Sequence, residues 1–383
     1  MDASKAKKVN TLCVHAGEID DIQFQSAVSP LFPSTSYSFL DNIEKRYPRN
    51  FNTPNQVALG KKIAALEHAE AALVFGSGMA AISTALFAFL EQGDHVVLQK
   101  TLYGGTFHLV TDQFEKFGIA YSFTEGLEQH DFIDKIKPNT KVIYIETPSN
   151  PLLTITDIAM VAALSKERGI ITMIDNTFAT PINQQPIPLG IDVVIHSATK
   201  YMGGHSDILA GAIATSNVLM EKIHNTGRNF GGNLSDYTVW LLERSMKTLG
   251  LRMKAQNRNA KKLAKFLAKH PKIDCVYYPG LKNHPDHDIA KKQMQGYGGM
   301  ISFELKEIYQ PDVFMKHLDV IKPSMSLAGV ESTILSPALT SHFLVPKEER
   351  EKQGVKDGLL RFSVGIEDKN DLMADLEQAL EKL

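Results

Sequence analysis

Apolar and polar positions fall into blocks along most of the chain, and the period of each block names an element. Between Val57 and His68 the apolar residues Val57, Ile63, Ala64 and Leu66 predict a helix. A strand over Ala72–Phe75 and a helix from Met79 towards Leu90 follow it. Short, largely β-branched runs then predict strands at His95–Leu98, Ile119–Phe123, Val142–Ile145, Ile170–Ile174 and Val193–His196. Helix-length segments separate them at Thr106–Phe117, Gln129–Ile136 and Asp157–Arg168. Alternation of this kind predicts an α/β domain with a mostly parallel sheet, whose ligands gather at the carboxyl ends of the strands.

From about Ser235 the pattern changes. One long helix is expected over Asp236–Lys269, with Gly250 as its weak point, then shorter strands at Met300–Leu305 and Leu360–Val364 and a closing helix over Asn370–Leu383. At the other end, Pro30, Pro33, Pro48 and Pro54 break the first 55 residues into pieces too short for a core. The expected organisation is an arm over 1–55 that lies on something else, a neighbouring subunit being one candidate. A large α/β domain over 56–235 and a smaller α+β domain over 236–383 complete it.

Composition narrows the function classes. The 383 residues carry a formal net charge of −2, with a pI near 6.7, which removes the basic face that nucleic acid or a membrane surface calls for. Two cysteines, Cys13 and Cys275, stand too far apart for a zinc or disulfide framework to be read from them. The opening MDASKAKKVNTL has no apolar signal core, so a cytoplasmic location is expected. Ala71–Leu90 is uncharged over 20 positions, enough to span a bilayer, but Gly76, Ser77, Gly78 and Ser83 make it read as strand, turn and buried helix. His108, His196 and His205 show no metal-binding spacing, and no metal is expected.

Candidate chemistry centres on Lys200. The run Val193–Ile195 delivers it past Ser197 and Thr199 and ahead of Gly203 and Gly204. A lysine placed at a buried strand end acts as a base or forms an imine; the alternative is a surface lysine. Asp175 ends the strand before it, and an aspartate there is what an imine-forming pyridine cofactor requires to keep its ring nitrogen protonated. Phe75–Ala81 places glycines between strand and helix, a candidate anion site or a plain packing turn. Tyr103, beside Gly104 and Gly105, is free to stack on a flat ligand or to be an ordinary loop residue. Arg361 stands in an apolar strand, where it must meet an anion, either a ligand carboxylate or an internal acid.

The motifs SGMAA (77–81), LYGGT (102–106), IETPSNP (145–151), IDNTFATP (174–181), HSATKYMGGHSD (196–207), SLAGVES (326–332) and LLRFSVGIED (359–368) run in order over most of the chain. Together they resemble the pyridoxal-phosphate enzymes of cysteine and methionine metabolism, the transsulfuration group, from about Thr11 to the C-terminus. The resemblance implies the type I fold of pyridoxal-phosphate transferases. It implies that Lys200 holds the cofactor aldehyde as an imine and later moves protons, that Asp175 pairs with the ring nitrogen, and that Tyr103 stacks on the ring and helps in proton transfer. It assigns the phosphate to Gly78, Met79, Ser197 and Thr199, with Tyr47 and Arg49 reaching the phosphate of the neighbouring subunit. It assigns the substrate carboxylate to Arg361, Asn150 and the backbone near Ser326. An obligate homodimer, commonly paired into a tetramer, follows from the shared site.

Three departures bear on the reaction. Asn50–Asn55 replaces the family's usual Asn-Pro-Thr after Arg49; Met325 and His108 stand where cystathionine γ-synthases and γ-lyases usually carry a glutamate and an arginine. Gly105 stands where methionine γ-lyases usually carry a cysteine. The expectation is a carbon–sulfur lyase acting at Cγ or Cβ of cystathionine- or methionine-type substrates and releasing a 2-oxo acid, ammonia and a thiol. A γ-replacement synthase on activated homoserine is the rival, with an aminotransferase and a non-catalytic cofactor-binding regulator further off.

Overall fold

A computed structural model describes residues 7–340, 347–352 and 354–383. Residues 1–6 of the expected arm, and 341–346 and 353 of the expected second domain, lie outside the described residues. The first sheet has seven strands: β1 (Ala71–Phe75), β2 (His95–Leu98), β3 (Ala120–Phe123), β4 (Thr140–Glu146), β5 (Ile171–Asp175), β6 (Val193–His196) and β7 (Gly211–Thr215), in the order β1-β7-β6-β5-β4-β2-β3. From β6 to β3 every pairing is parallel, while β7 runs antiparallel to both β6 and β1. β2, β6 and β7 are buried along their whole length, as strands covered by helices on both faces must be.

In this sheet β7 is the strand that the hydrophobic pattern does not announce. Its sequence, GAIAT, puts Gly211, Ala212 and Ala214, small residues with weak strand preference, among its five positions. The reason lies across the sheet, where a Cβ on Gly211 would sit 2.1 Å from the Ser77 carbonyl oxygen. Small side chains let β7 lie against the turn that opens the helix Gly78–Phe87. That helix and β1 divide the uncharged stretch 71–90, and among the described residues no helix is long and apolar enough to cross a membrane.

A second sheet has the order β10-β11-β12-β9-β8, with β8 (Ile273–Tyr277), β9 (Met300–Leu305), β10 (Lys322–Pro323), β11 (Thr333–Leu335) and β12 (Leu359–Ser363). Helices Leu249–Leu267 and Lys369–Glu381 cover it, packing Leu263, Leu267, Leu372 and Leu376 around Phe303 and Phe362. The long helix expected from Asp236 is two helices, Asp236–Met246 and Leu249–Leu267, and the break falls at Lys247–Thr248, not at Gly250. Gly250 is helical for a packing reason: a Cβ there would meet Asn10 Oδ1 at 2.1 Å.

Asn10 belongs to a helix over Val9–His15 that docks on the large core through buried Cys13. Lys62, fully buried, donates from Nζ to the carbonyls of Cys13 (2.9 Å) and Val14 (3.1 Å), capping that helix. Beyond it the arm leaves Ile22, Phe24, Phe39, Leu40 and Ile43 exposed, Ile43 completely. The unusual stretch after Arg49 has a local role. Phe51 turns into the core at φ +55° with its ring centroid 5.2 Å from that of Phe75, and Thr53 and Gln56 form a reciprocal cap on the helix Pro54–Glu67.

Candidate active site

Three adjacent parallel strands end at one place. β4 stops at Glu146, β5 at Asp175 in register with it, and β6 runs into the turn that carries Lys200. Glu146 and Asp175 therefore present two buried carboxyl groups side by side, both on the face that packs against the helix Gly78–Phe87. Burial raises Asp175 above the ordinary aspartate value, against the lowering effect of the Thr177 N–H bonded to its Oδ1 at 3.0 Å and of the nearby His196. Burial, and then the charge of Asp175, push Glu146 well above the carboxylate range.

Glu146 is the residue that the sequence reading missed. Its Oε2 accepts the Tyr103 N–H at 2.7 Å and its Oε1 the Asn150 N–H at 3.1 Å, so one carboxyl fixes the loop of the aromatic candidate and the loop of the carboxylate-binding candidate. The signal was present, since VIYIE ends on an acid in the same way as ITMID.

Lys200 Nζ donates to Ser326 Oγ at 3.0 Å, and burial, followed by the positive charge of Arg361, holds the amine below its ordinary value. Arg361 reaches in from β12 of the second sheet. Its Nη1 donates to Asn150 Oδ1 at 2.9 Å and its Nη2 to the Ser326 carbonyl at 3.3 Å. Among the described residues no carboxylate pairs with it, which removes the internal-salt-bridge alternative. Burial depresses its pKa to about 10. Held by neutral oxygens through Nη1 and Nη2, this guanidinium could still receive an external anion. Ser326, at φ +73°, and Ala328, at φ +72°, hold a left-handed backbone that costs energy in residues bearing a Cβ, and the clamp sits on that strained loop.

At the other end of the cleft, the helix Gly78–Phe87 begins at Ser77, whose Oγ caps the Ala80 N–H at 3.0 Å. Ser197 lies directly against it, since a Cβ on Gly78 would come within 2.8 Å of Ser197 Cβ and 2.9 Å of its Oγ. Thr177 Oγ1 holds the Ser197 N–H at 2.8 Å, and Thr199 exchanges hydrogen bonds with Ala210 in β7's approach. Gly78, Met79 and Ser197 thus come together at this helix N-terminus, where they could hold an anion, with Thr199 anchoring the turn beside it.

The Tyr103 ring is half exposed over this cleft, and a Cβ on Gly105 would meet its Cε1 at 2.5 Å and Met79 Sδ at 2.8 Å. The layout fits a flat aldehyde bearing a phosphate. A glycine-containing turn opens the helix Gly78–Phe87, a buried acid ends β5, and an amine of lowered pKa lies near Arg361.

Tyr47 and Arg49 do not join this group within the protomer. Tyr47 N–H bonds Asn52 Oδ1 at 2.8 Å, and Arg49 Nη1 reaches the Arg228 carbonyl at 3.1 Å. His108 is exposed and faces Asp112 on its own helix at 3.7 Å. His205 bonds the Gly203 carbonyl at 2.7 Å, and His196 Nε2 meets Glu67 Oε1 at 2.5 Å in the interior. Among the described residues no cluster of three or more histidine, cysteine or acidic side chains is arranged to hold a metal.

Comparison with known proteins agrees with this geometry. Residues 10–381 match the family model described as Cys/Met metabolism PLP-dependent enzyme. The chain is 44% identical over 380 residues to the cystathionine γ-lyase of Bacillus subtilis (strain 168), covering 98% of this chain and 100% of that one. It is 46% identical over 332 residues to the cystathionine β-lyase MetC of the same organism, covering 86% and 85%. The crystal structure of cystathionine γ-lyase from Lactobacillus plantarum complexed with L-serine superposes with a TM-score of 0.94 at 40% identity, covering 98% and 99%. A seven-stranded mixed sheet with a smaller sheet beside it is the type I fold of pyridoxal-phosphate enzymes, and the chain belongs to the PLP-dependent enzymes of Cys/Met metabolism.

Proposed function

We propose that the protein is a pyridoxal-phosphate-dependent carbon–sulfur lyase that cleaves a cystathionine- or methionine-type amino acid and releases a 2-oxo acid, ammonia and a thiol. The observation that carries this is the convergence of Lys200, Asp175 and an Arg361 that has no acidic partner among the described residues at the carboxyl ends of β4–β6, in a chain whose relatives include lyases at both Cγ and Cβ. When bound, the cofactor supplies an aldehyde for the substrate amine and an electron-poor ring that stores the electron pair left at Cα. Arg361 and Asn150 would hold the substrate carboxylate and so orient the bonds at Cα. Lys200 Nζ would take the Cα proton, and its lowered pKa suits an amine that must be neutral before it accepts one. Asp175 holds the proton on the ring nitrogen. Tyr103 covers the ring face, Glu146 keeps the loops of Tyr103 and Asn150 in place, and Gly78, Met79, Ser197 and Thr199 hold the phosphate. Elimination at Cγ needs a second deprotonation, at Cβ, whereas elimination at Cβ does not.

The test is a substrate panel of L-cystathionine, L-methionine, L-cysteine and O-acylhomoserine with a thiol, with oxo acids, ammonia and thioethers quantified. Oxo acid from a sulfur amino acid is the expected result. Thioether synthesis alone would transfer the protein to the synthases.

The arm over 1–55, the domain over 56–235 and the domain over 236–383 are read here as functional units, in a protein that works in the cytoplasm. The exposed apolar arm, with Tyr47 and Arg49 set apart from their own cleft, supports a homodimer in which each arm reaches the partner's phosphate, two such dimers making a tetramer. An intersubunit site predicts complementation. Arg49→Ala and Lys200→Ala, each nearly inactive alone, should recover up to about a quarter of wild-type activity when co-expressed, because half of the dimers carry one intact composite site. Activity equal to the sum of the separate variants would place Arg49 in its own subunit's site.

A further inference from the structure

Arg252 lies in the helix Leu249–Leu267 with its side chain 4% exposed. Every hydrogen bond of its guanidinium goes to a neutral oxygen. Nη1 donates to the Tyr201 carbonyl at 2.6 Å, Nη2 to the carbonyls of Met202 and Ser245 at 3.1 Å each, and Nε to Thr248 Oγ1 at 3.2 Å. Burial pulls its pKa down to about 10, opposed only in part by nearby Cys13, and among the described residues no carboxylate pairs with it. A buried cation without a counter-ion is costly, and an apolar residue of similar volume would fill the space more cheaply. Its place there therefore points to what the fork holds.

Tyr201 and Met202 are the two residues after Lys200. The turn around the lysine is closed from within by Lys200 N–H to the Ser197 carbonyl (3.0 Å), Gly203 N–H to the Ala198 carbonyl (2.8 Å) and Gly204 N–H to the Lys200 carbonyl (2.7 Å). The Tyr201 and Met202 carbonyls point outward from that wrap, and the guanidinium takes both. Gly204 gives an independent sign of the same fit. Its φ is +68°, and a Cβ there would stand 2.0 Å from Arg252 Nη1. The turn is moulded on the guanidinium. The helix that carries Arg252 also packs on the sheet that carries Arg361, so the turn of the amine is referenced to the body that holds the carboxylate clamp.

We propose that Arg252 is a positioning residue for Lys200, its fork clamping the turn so that the amine stays aligned with the substrate held by Arg361. This rests on the reading of Lys200 as the reactive amine. Two variants test it from opposite sides: Arg252→Lys keeps the charge but loses the fork, and Gly204→Ala pushes the guanidinium out of its seat. In the full chain without cofactor, amide exchange at Gly203 and Gly204 should accelerate at least ~10-fold in both. In the cofactor-loaded chain kcat should fall about 10- to 100-fold while KM stays within about 2-fold, because the carboxylate clamp is untouched.

If Arg252→Lys does not fold, Gly204→Ala decides alone. Wild-type exchange in a folded variant overturns the proposal. Faster exchange with unchanged kcat overturns it as well, since the fork would then serve only stability. Failure of the functional reading looks different: Lys200→Ala would retain the absorbance of bound cofactor, while the exchange result stayed as predicted.

Discussion

Lys200→Ala is expected to lose at least ~10⁴-fold in carbon–sulfur cleavage and to show no visible absorbance of covalently held cofactor after incubation with pyridoxal phosphate. Two duties fall on the one amine, anchoring the aldehyde and carrying the Cα proton, and alanine removes both. The environment explains why this lysine can do either. Burial and the neighbouring Arg361 charge lower its pKa, and Ser326 Oγ at 3.0 Å gives Nζ a neutral resting partner rather than a carboxylate that would lock it as an ammonium ion. Lys62 shows the contrast, since it is fully buried but spends its protons on the Cys13 and Val14 carbonyls as a helix cap. The check is an absorbance spectrum together with peptide mapping after borohydride reduction. Retention of a reducible band in Lys200→Ala would move the anchor to another residue and with it the whole assignment of the cleft.

The parts of this cleft that could be read from residues alone are those where one chain segment carries the chemistry. An acid closing an apolar strand, and a lysine one strand later between small polar residues and two glycines, are local patterns, and Asp175 and Lys200 came from them. Glu146 ends its strand in the same way but was passed over, because its importance lies in what it holds, the amides of Tyr103 and Asn150, and those contacts are set by tertiary structure. β7 was lost because small residues chosen for close approach to Ser77 carry no hydrophobic period. The helix break at Lys247–Thr248 escaped because Gly250, the weaker helix former, answers to Asn10 from a distant segment. Arg252 carries no local signal, because its role lies in the distant turn that it grips. In each case the missing information was a long-range contact.

Asp175→Asn is expected to separate function from stability, lowering activity about 10²- to 10⁴-fold while making the cofactor-free chain more stable at neutral pH. The loss follows from the neutral amide, which cannot hold a proton on the ring nitrogen as an anion does. The gain follows from the crowding of Asp175 and Glu146, in register at adjacent strand ends and both raised above their ordinary values, Asp175 by burial and Glu146 by burial and then by Asp175. An acid whose pKa is raised in the folded state binds more protons folded than unfolded between its two values. Stability therefore falls as pH climbs through that interval, and the full cost is present above it. Asparagine removes one of the two charges and keeps an oxygen for the Thr177 N–H. The thermal midpoint of the cofactor-free variant should accordingly lie about 2 °C above wild type at neutral pH, and the difference should vanish below about pH 4, where the unfolded carboxyl is itself protonated. Bound cofactor should reverse the order, because its ring cation favours the aspartate. A variant less stable than wild type at neutral pH without cofactor would mean that the Thr177 amide and His196 outweigh burial, and that Asp175 is an ordinary stabilised carboxylate.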